Sequence, residues 1–386
     1  MIPYANRILP TPIALRSVEA DLLDKVKGSA VVWCGRAATA LYWAYCVARE
    51  SHAASGGAEV IMPAISCATP ANVAMLAGLT PRFADVDPAT GLLSLQTVQA
   101  CWSLKTRAVV FIHLFGQTAD LAPLAAWCRS QNIMLIEDVA QALGARLSDE
   151  SSVGSLGDIS VYSFNESKIL ECGGGALVLR SERFSQPLVQ ALRTFQMGAE
   201  QDPDKSKLLG QSYRNLHHAL VALLRLRAIA DASDLFLGVR AAYEGLFLRS
   251  MKDPDALARA WQDLPAVLER RYRKAEIYAE ILKDGPWQLL NGWRESGVCW
   301  RYSLLLDHAD SLFSICESVR RDGFHVSNLY WPVGPFFYPE DRCPYADAFA
   351  RRIVNLWVDD SVDLEWIERC GASLWKRATQ HVTSVN

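Results

Sequence analysis

The sequence lacks any CxxC pair, because its ten cysteines never fall within three residues of one another. That spacing gives no support to a structural zinc site or a dithiol redox motif. The sequence also lacks an excess of basic charge. Lys plus Arg number 39 and Asp plus Glu 42, for a formal net charge of −3, so no nucleic-acid-binding face is forced. No apolar run approaches the ~18 residues that a membrane helix needs. The N-terminus, MIPYANRILPTPIAL, has no basic segment followed by an apolar stretch, so no secretory signal is expected. Internal repeats, low-complexity tracts and Gly/Ser linkers are missing as well. What is present is ample core material. Hydrophobic residues are 51% and charged residues 21% of the chain, which excludes disorder as its main state. The cysteines sit mostly in apolar surroundings and read as buried, reduced thiols of a cytoplasmic protein.

At ~100–200 residues per domain, 386 residues imply two domains. From about 30 to 180, short apolar runs alternate with helical patterns. Helices are expected at 37–49, 69–76, 95–101 and 121–130. Extended segments are expected at 59–62, 80–86, 107–113, 133–137, 159–164 and 176–179. RAVVFIH and IMLIE are uninterrupted apolar runs, the pattern of strands buried on both faces. This rhythm predicts an α/β fold: a mostly parallel sheet with helices on both sides. The second half differs. Residues 215–282 read as almost wholly helical. Strands are expected at 298–306, 324–331 and 353–357, around a helix at 311–321, with a C-terminal helix from about 364. We therefore expect a large domain over 1–250, with a helical insert at about 219–255, and a smaller α+β domain over 251–386.

Chemistry in such a sheet lies beyond the carboxyl ends of the strands. Asp138 follows IMLIE directly, where a carboxylate is costly without a cationic partner. Lys168 ends NESK between two apolar runs, and Gly173, Gly174 and Gly175 follow it. Each has a plain reading: a helix cap, a solvated lysine, a turn. Together they fit a pyridoxal 5′-phosphate (PLP) site. That cofactor needs a lysine amine, an acid partner for its ring nitrogen, and donors for its phosphate at a helix N-terminus.

Four blocks, CGRAATALYWAY, EVIMPAISCATPANVAMLAGLTPRFADVDPATGLL, TRAVVFIHLFGQTADLAPLAAWC and IMLIEDVAQALGARLSDESSVGSLGDISVYSFNESKILECGGGALV, occur in this order over about 29–180. In order and spacing they resemble the DegT/DnrJ/EryC1/StrS family of sugar aminotransferases. LPAVLERRYRKAEIYAEIL and the segment around LYWPV match more loosely. The resemblance implies a fold-type-I PLP-dependent aminotransferase acting as a homodimer with a shared active site. It implies PLP, with pyridoxamine phosphate as its alternate form, an amino donor such as glutamate, and a keto-sugar acceptor carried on a nucleotide. Lys168 matches the lysine that links to the cofactor and moves the proton. Asp138 matches the partner of the ring nitrogen, and Gln141 the contact to the ring oxygen. Ser163, Gly35 and Arg36 match phosphate contacts. Asn215 matches an Asn that reaches the phosphate of the neighbouring subunit. His113 matches a recurrent His of no fixed role.

The chain departs from the pattern in three places. Arg36 replaces the usual Thr, and its guanidinium could pair with the phosphate or point elsewhere. Cys67 stands where an aromatic usually stacks on the ring. The Leu- and Arg-rich insert reads as helices packing on a dimer or lining the site, or as an amphipathic surface for a membrane or partner. The aromatics of 328–338 could stack on a sugar or base, or pack as an inter-domain hinge. His217 and His218 read as interface or surface residues. Transamination of a cyclitol or another carbonyl compound is an alternative, as is PLP binding without turnover by a regulatory protein. Relatives that dehydrate sugars carry His at the position of Lys168, which argues against that chemistry.

Overall fold

The computed structural model describes residues 10–51, 57–199, 203–226 and 251–385 apart from 329 and 339, together with 228, 234, 235 and 237–239. Most of the insert therefore lies outside the described residues. Among those described, seven strands form one sheet in the order β1-β7-β6-β5-β4-β2-β3. They are β1 (Ala30–Cys34), β2 (Glu59–Pro63), β3 (Thr80–Ala84), β4 (Thr106–Ile112), β5 (Met134–Asp138), β6 (Ile159–Ser163) and β7 (Gly175–Leu179). Every residue of β1, β4, β5, β6 and β7 is buried, as the continuous apolar runs require. All pairings between β6 and β3 are parallel, while β7 runs against both β6 and β1.

The reversal of β7 has a simple cause. A parallel neighbour needs a crossover of roughly a dozen residues or more, and the loop 164–174 is shorter than that. It returns the chain as a hairpin and places Lys168 over the carboxyl end of β6. The carboxyl ends of β1, β4, β5 and β6 meet at the same edge, and Ser163 and Cys34 both pair with Gly175. Helix α1 (Arg16–Val26) precedes β1, and α2 (Ala37–Glu50) follows it directly. A Cβ on Gly175 would lie 2.5 Å from the Ala37 nitrogen, so only glycine lets the start of α2 close onto the sheet here.

Helices α3 (Thr69–Leu76), α4 (Leu95–Cys101) and α5 (Ala122–Ser130) connect the parallel strands. Helices α6 (Ser185–Ala199) and α7 (Pro203–Arg225) lead out of the sheet. Then α8 (Pro254–Gln262) turns back to the N-terminal helices, where the Trp261 indole donates to Asp21 at 2.7 Å. Helix α9 (Leu264–Ile281) packs on the C-terminal helix instead. We therefore propose that the division between domains lies at 262–264 rather than at 250–251.

The second unit is a four-stranded antiparallel sheet, β10-β11-β9-β8. Its strands are β8 (Trp287–Leu289), β9 (Tyr302–Leu306), β10 (Val326–Ser327) and β11 (Ile353–Leu356). Helices α10 (Leu312–Arg321) and the C-terminal α11 (Leu364–Val385) cover it. A second apolar core, separate from that of the large sheet, holds it together.

Two expected strands are corrected. The strand read at 298–306 begins only at Tyr302, because the Val298 N–H is committed to the Gly116 carbonyl at 2.9 Å. The strand read at 324–331 shrinks to Val326–Ser327. Beyond it the chain leaves the sheet edge, and Tyr330 reaches across to Gln141. The sequence reading also passed over α1, β1 and the short β8.

Gly175→Ala should destabilise the fold by about 1–3 kcal/mol, the usual range for forced overpacking. A fall in the urea unfolding midpoint at unchanged slope would show it; an unchanged midpoint would refute the close approach.

Candidate active site

Lys168 opens into a cavity of about 390 Å³ that it shares with Cys67, Gln141, Trp300, Arg301, Tyr330, Trp331, Phe336 and Trp357. A second cavity of about 700 Å³ is lined by Gly35, Arg36, Gly173, Gly174, Arg214, His218 and Lys252. Ser167, Tyr213 and His217 line both, so the two cavities adjoin at the lysine loop.

The loop is held at several points. At its neck the Phe164 N–H donates to the Gly174 carbonyl at 3.0 Å, and the Gly173 N–H to the Phe164 carbonyl at 2.6 Å. At its tip the Trp300 indole N–H donates to the Ser167 carbonyl at 2.6 Å. Arg271 donates to the Lys168 carbonyl at 3.3 Å and to the Trp300 carbonyl at 3.0 Å. Ser167 has φ +63°, a left-handed conformation that costs a non-glycine residue about 1–3 kcal/mol unless its surroundings impose it. Here residues of the second unit impose it. Arg301 sits between the rings of Trp300 and Trp357, 5.0 and 4.6 Å from their centroids, and pairs with Asp359 at 2.6 Å. Burial alone would raise the Asp359 carboxyl; Arg301 and Ser361 more than offset it and hold it below its ordinary value.

Asp138 ends β5 and is buried. It accepts the Ala140 N–H at 2.9 Å. Burial raises its pKa, and the charges of Lys168 and His113 with the Ala140 N–H offset this only partly. Glu137 beside it behaves differently. It accepts from the Gly154, Leu156 and Gly157 backbone N–H groups and meets His113 Nε2 at 3.2 Å. Burial would raise it, yet His113 and these N–H groups outweigh burial and bring it below its ordinary value. Glu137 is thus a satisfied structural carboxylate, whereas Asp138 still wants a cation.

The other sequence-read residues divide. Gly35 and Arg36 line the larger cavity at the start of α2, which no side chain caps. The Arg36 Nε is buried without a hydrogen-bond partner, and its guanidinium lies 5.7 Å from the Tyr213 ring. Cys67 is exposed and faces the lysine cavity. Gln141 lines it too, its side chain held between the Phe115 N–H and Tyr330. Ser163 is buried at the end of β6, outside the lining of both cavities. Asn215 is exposed on α7 and also outside both linings, although Tyr213, Arg214, His217 and His218 around it take part. His113 lines neither and serves Glu137. Of the aromatics in 328–338, Tyr330, Trp331 and Phe336 face the lysine cavity. Phe337 and Tyr338 pack on Phe83 at 5.6 and 6.2 Å. In the insert, Leu220, Val221 and Leu224 turn inward to the same cavity. Among the described residues no helix is long and apolar enough to cross a membrane.

The sequence reading missed Arg271 and Trp300, and it named Tyr330 only among the aromatics of 328–338. Only Arg271 carried a signal: it stands in register with Leu264, Ala275 and Tyr278 on the buried face of α9, where an arginine needs a buried acceptor.

These residues fit PLP. A buried carboxylate with a raised pKa suits the protonated ring nitrogen, Lys168 faces a cavity large enough for the ring, and an uncapped helix start with a buried, unpartnered arginine Nε suits a phosphate. Fold and site together define a fold-type-I PLP-dependent transferase. The comparisons with known proteins agree. The model of the DegT/DnrJ/EryC1/StrS aminotransferase family matches residues 14–237. The chain is 31% identical to a pleiotropic regulatory protein of Geobacillus stearothermophilus over 89% of its own length and 83% of that protein. It is 25% identical to a dTDP-4-dehydro-2,3,6-trideoxy-D-glucose 4-aminotransferase of Saccharopolyspora spinosa, over 85% and 80%. A GDP-perosamine synthase of Caulobacter vibrioides is 30% identical, but the match spans only 51% of this chain and 52% of that one. The fold matches Helicobacter pylori PseC, an aminotransferase involved in pseudaminic acid biosynthesis, with TM-score 0.73 over 97% of this chain and 95% of the other at 18% identity. A Streptococcus pneumoniae chain solved in its PMP form matches with TM-score 0.73 over 96% and 93% at 16% identity. The chain belongs to the DegT/DnrJ/EryC1/StrS aminotransferase family, and it is a PLP-dependent aminotransferase.

Burial raises the folded-state pKa of Asp138. Its neutral form therefore favours the fold fully below the ordinary Asp range, and that contribution is lost as pH rises through the raised value. In Asp138→Asn this loss disappears. Above that range the cofactor-free variant should melt at or above the wild-type temperature, while stabilisation by added PLP shrinks. Paired thermal melts with and without PLP test this; a cofactor-free variant that melts several degrees lower would mean that Asp138 already has its cation.

Proposed function

We propose that the protein moves an amino group from glutamate to a keto-sugar, most simply one carried on a nucleotide, in amino-sugar or glycan biosynthesis. The observation that carries this reading is the lysine cavity itself. It has one amine, aromatic faces from Trp300, Trp331 and Trp357, polar groups from Gln141, Ser327 and Asn355, and a neighbour where Arg36, Arg214 and Lys252 stand with Glu166 and Glu171. Flat apolar faces with a few directed polar groups suit a sugar ring, and adjoining positive charge suits phosphates. Nucleotide-sugar aminotransferases among the relatives support the same class.

When bound, PLP supplies a reactive aldehyde carbon and a ring that withdraws electrons from the substrate carbon. The chain does the rest. Asp138 would hold a proton on the ring nitrogen. Lys168 Nζ would take the proton from the donor's alpha carbon and return one at the acceptor carbon. Trp300 and Arg271 keep that amine in register through the loop backbone. The aromatic wall and the inward residues of α7 exclude water. Glutamate leaves as its 2-oxo acid, the acceptor as an amino sugar. Gly35, Arg36 and Ser163 would hold the phosphate, joined in a homodimer by Asn215 of α7 from the neighbouring subunit, and Cys67 would face the ring. A cyclitol or other carbonyl acceptor would use the same residues.

A second reading, cofactor binding without turnover, is favoured by the likeness to a pleiotropic regulatory protein. The intact Lys168, its clamp and Asp138 weigh against it.

Lys168→Ala should abolish both half-reactions, a loss of at least several orders of magnitude in kcat. The check is the cofactor's absorbance with glutamate added: it should change in the wild type and stay constant in the variant. Near-normal turnover in the variant would remove the assignment, and a wild type that binds PLP but ignores glutamate and other amino donors would favour the regulatory reading.

A further inference from the structure

Which group faces the cofactor's ring oxygen follows from the two cavities and from the shape of PLP. Its ring nitrogen and its reactive carbon lie at opposite ends of the ring. The reactive carbon is flanked by the ring oxygen on one side and by the phosphate arm on the other. With Asp138 at the nitrogen and Lys168 at the carbon, the two flanks must face different walls. The larger cavity holds Gly35, Arg36 and the uncapped start of α2, with Arg214, Lys252, Glu166 and Glu171 around them; the open helix start and the buried, unpartnered Nε of Arg36 select it for the phosphate. The oxygen then faces the other cavity, which holds Gln141 and Tyr330.

The hydrogen bonds there have a determined direction. The Phe115 N–H can only donate, and it meets Gln141 Oε1 at 2.7 Å. That assigns the amide, so Gln141 Nε2 faces Tyr330 and donates to its hydroxyl oxygen at 2.8 Å. A phenol oxygen that accepts this bond keeps its own proton for another partner. The arrangement is built in. Phe115 has φ +60°, unfavourable for a bulky residue. Tyr330 at 4.5 Å and Phe349 at 6.2 Å pack against its ring.

We propose that Tyr330 donates its hydroxyl proton in a hydrogen bond to the cofactor's ring oxygen, beside the second amide N–H of Gln141. The proposal rests on the reading of Lys168 and Asp138 as the two anchors of the ring. Burial, with Cys67 nearby, pushes the Tyr330 phenol well above its ordinary value against the opposing effects of Gln141 and Arg301. It therefore acts as a donor rather than a base. Lys168, Cys67, Arg225, Arg301 and His217 face the same cavity, Asp138 feels Lys168 from the end of β5, and Tyr330→Phe leaves all of them in place.

The test uses the full chain loaded with PLP. Tyr330→Phe keeps the ring against Phe115 and removes only the hydroxyl. Loss of a donor makes the ring oxygen more basic, so the proton it shares with the Lys168 nitrogen is held more tightly. The midpoint of the pH titration of the cofactor's absorbance should rise by about one unit, a tenfold change. In dialysis the variant should bind PLP about tenfold more weakly, yet bind 3-deoxypyridoxal 5′-phosphate, which lacks the ring oxygen, as the wild type does. An unchanged midpoint, or an equal loss for both ligands, overturns the proposal; the second result would mark a packing effect. A pH-sensitive band that survives Lys168→Ala, or a wild type that binds no PLP, overturns instead the reading of the anchors.

Discussion

The arrangement depends on how the lysine loop is held. A loop between two antiparallel strand ends is free to move unless contacts from elsewhere hold it. Here the freedom is removed from outside the loop. Trp300 takes the Ser167 carbonyl and Arg271 takes that of Lys168. Both come from beyond the large sheet; Trp300 packs against Arg301, which pairs with Asp359, and Arg271 is tied to the Trp300 carbonyl. The left-handed backbone at Ser167 marks the constraint: such strain persists only where neighbours over-determine it. The second unit thus fixes the backbone of the loop that carries Lys168.

The two adjacent carboxylates of β5 show how environment divides roles. Glu137 and Asp138 share a strand end and deep burial. Glu137 receives three backbone N–H groups and a histidine, and settles ionised. Asp138 receives one N–H and a distant ammonium, and burial prevails. A buried carboxylate whose charged form is under-compensated is the kind of group found at functional sites.

Much of the large unit was legible because its physics is local. Parallel strands buried on both faces must be written as unbroken apolar runs, so IMLIE and RAVVFIH could be placed by inspection. Residues at their carboxyl ends could be placed too, which brought out Asp138, Lys168 and the glycines. The second unit was less legible. WRYSLLL reads as one extended run, yet Trp300 and Arg301 turn away from the sheet because their side chains are committed to the loop and to Asp359. The run at 324–331 failed for the same reason: Tyr330 answers to Gln141, far away in the chain. The aromatics of 328–338 could not be assigned to ligand or hinge from sequence, and the structure divides them between the two. Ser163 and Asn215 were read from resemblance, and among the described residues neither they nor Asp138 line the two cavities.

By itself, the sequence determined the class of fold, the strand ends that bear chemistry and the family to which the chain belongs, because periodicity, apolar runs and short motifs are properties of neighbouring residues. The tertiary structure decided what holds Lys168, which carboxylate lacks a partner, and which aromatic turns its hydroxyl toward Gln141. The contacts of the Lys168 loop and of Tyr330 with Gln141 span more than a hundred positions, those that satisfy Glu137 span 17 to 24, and no local pattern encodes which donor meets which buried acceptor. The one exception was an arginine on the buried face of a helix, where the cost of burying charge announces an unseen partner.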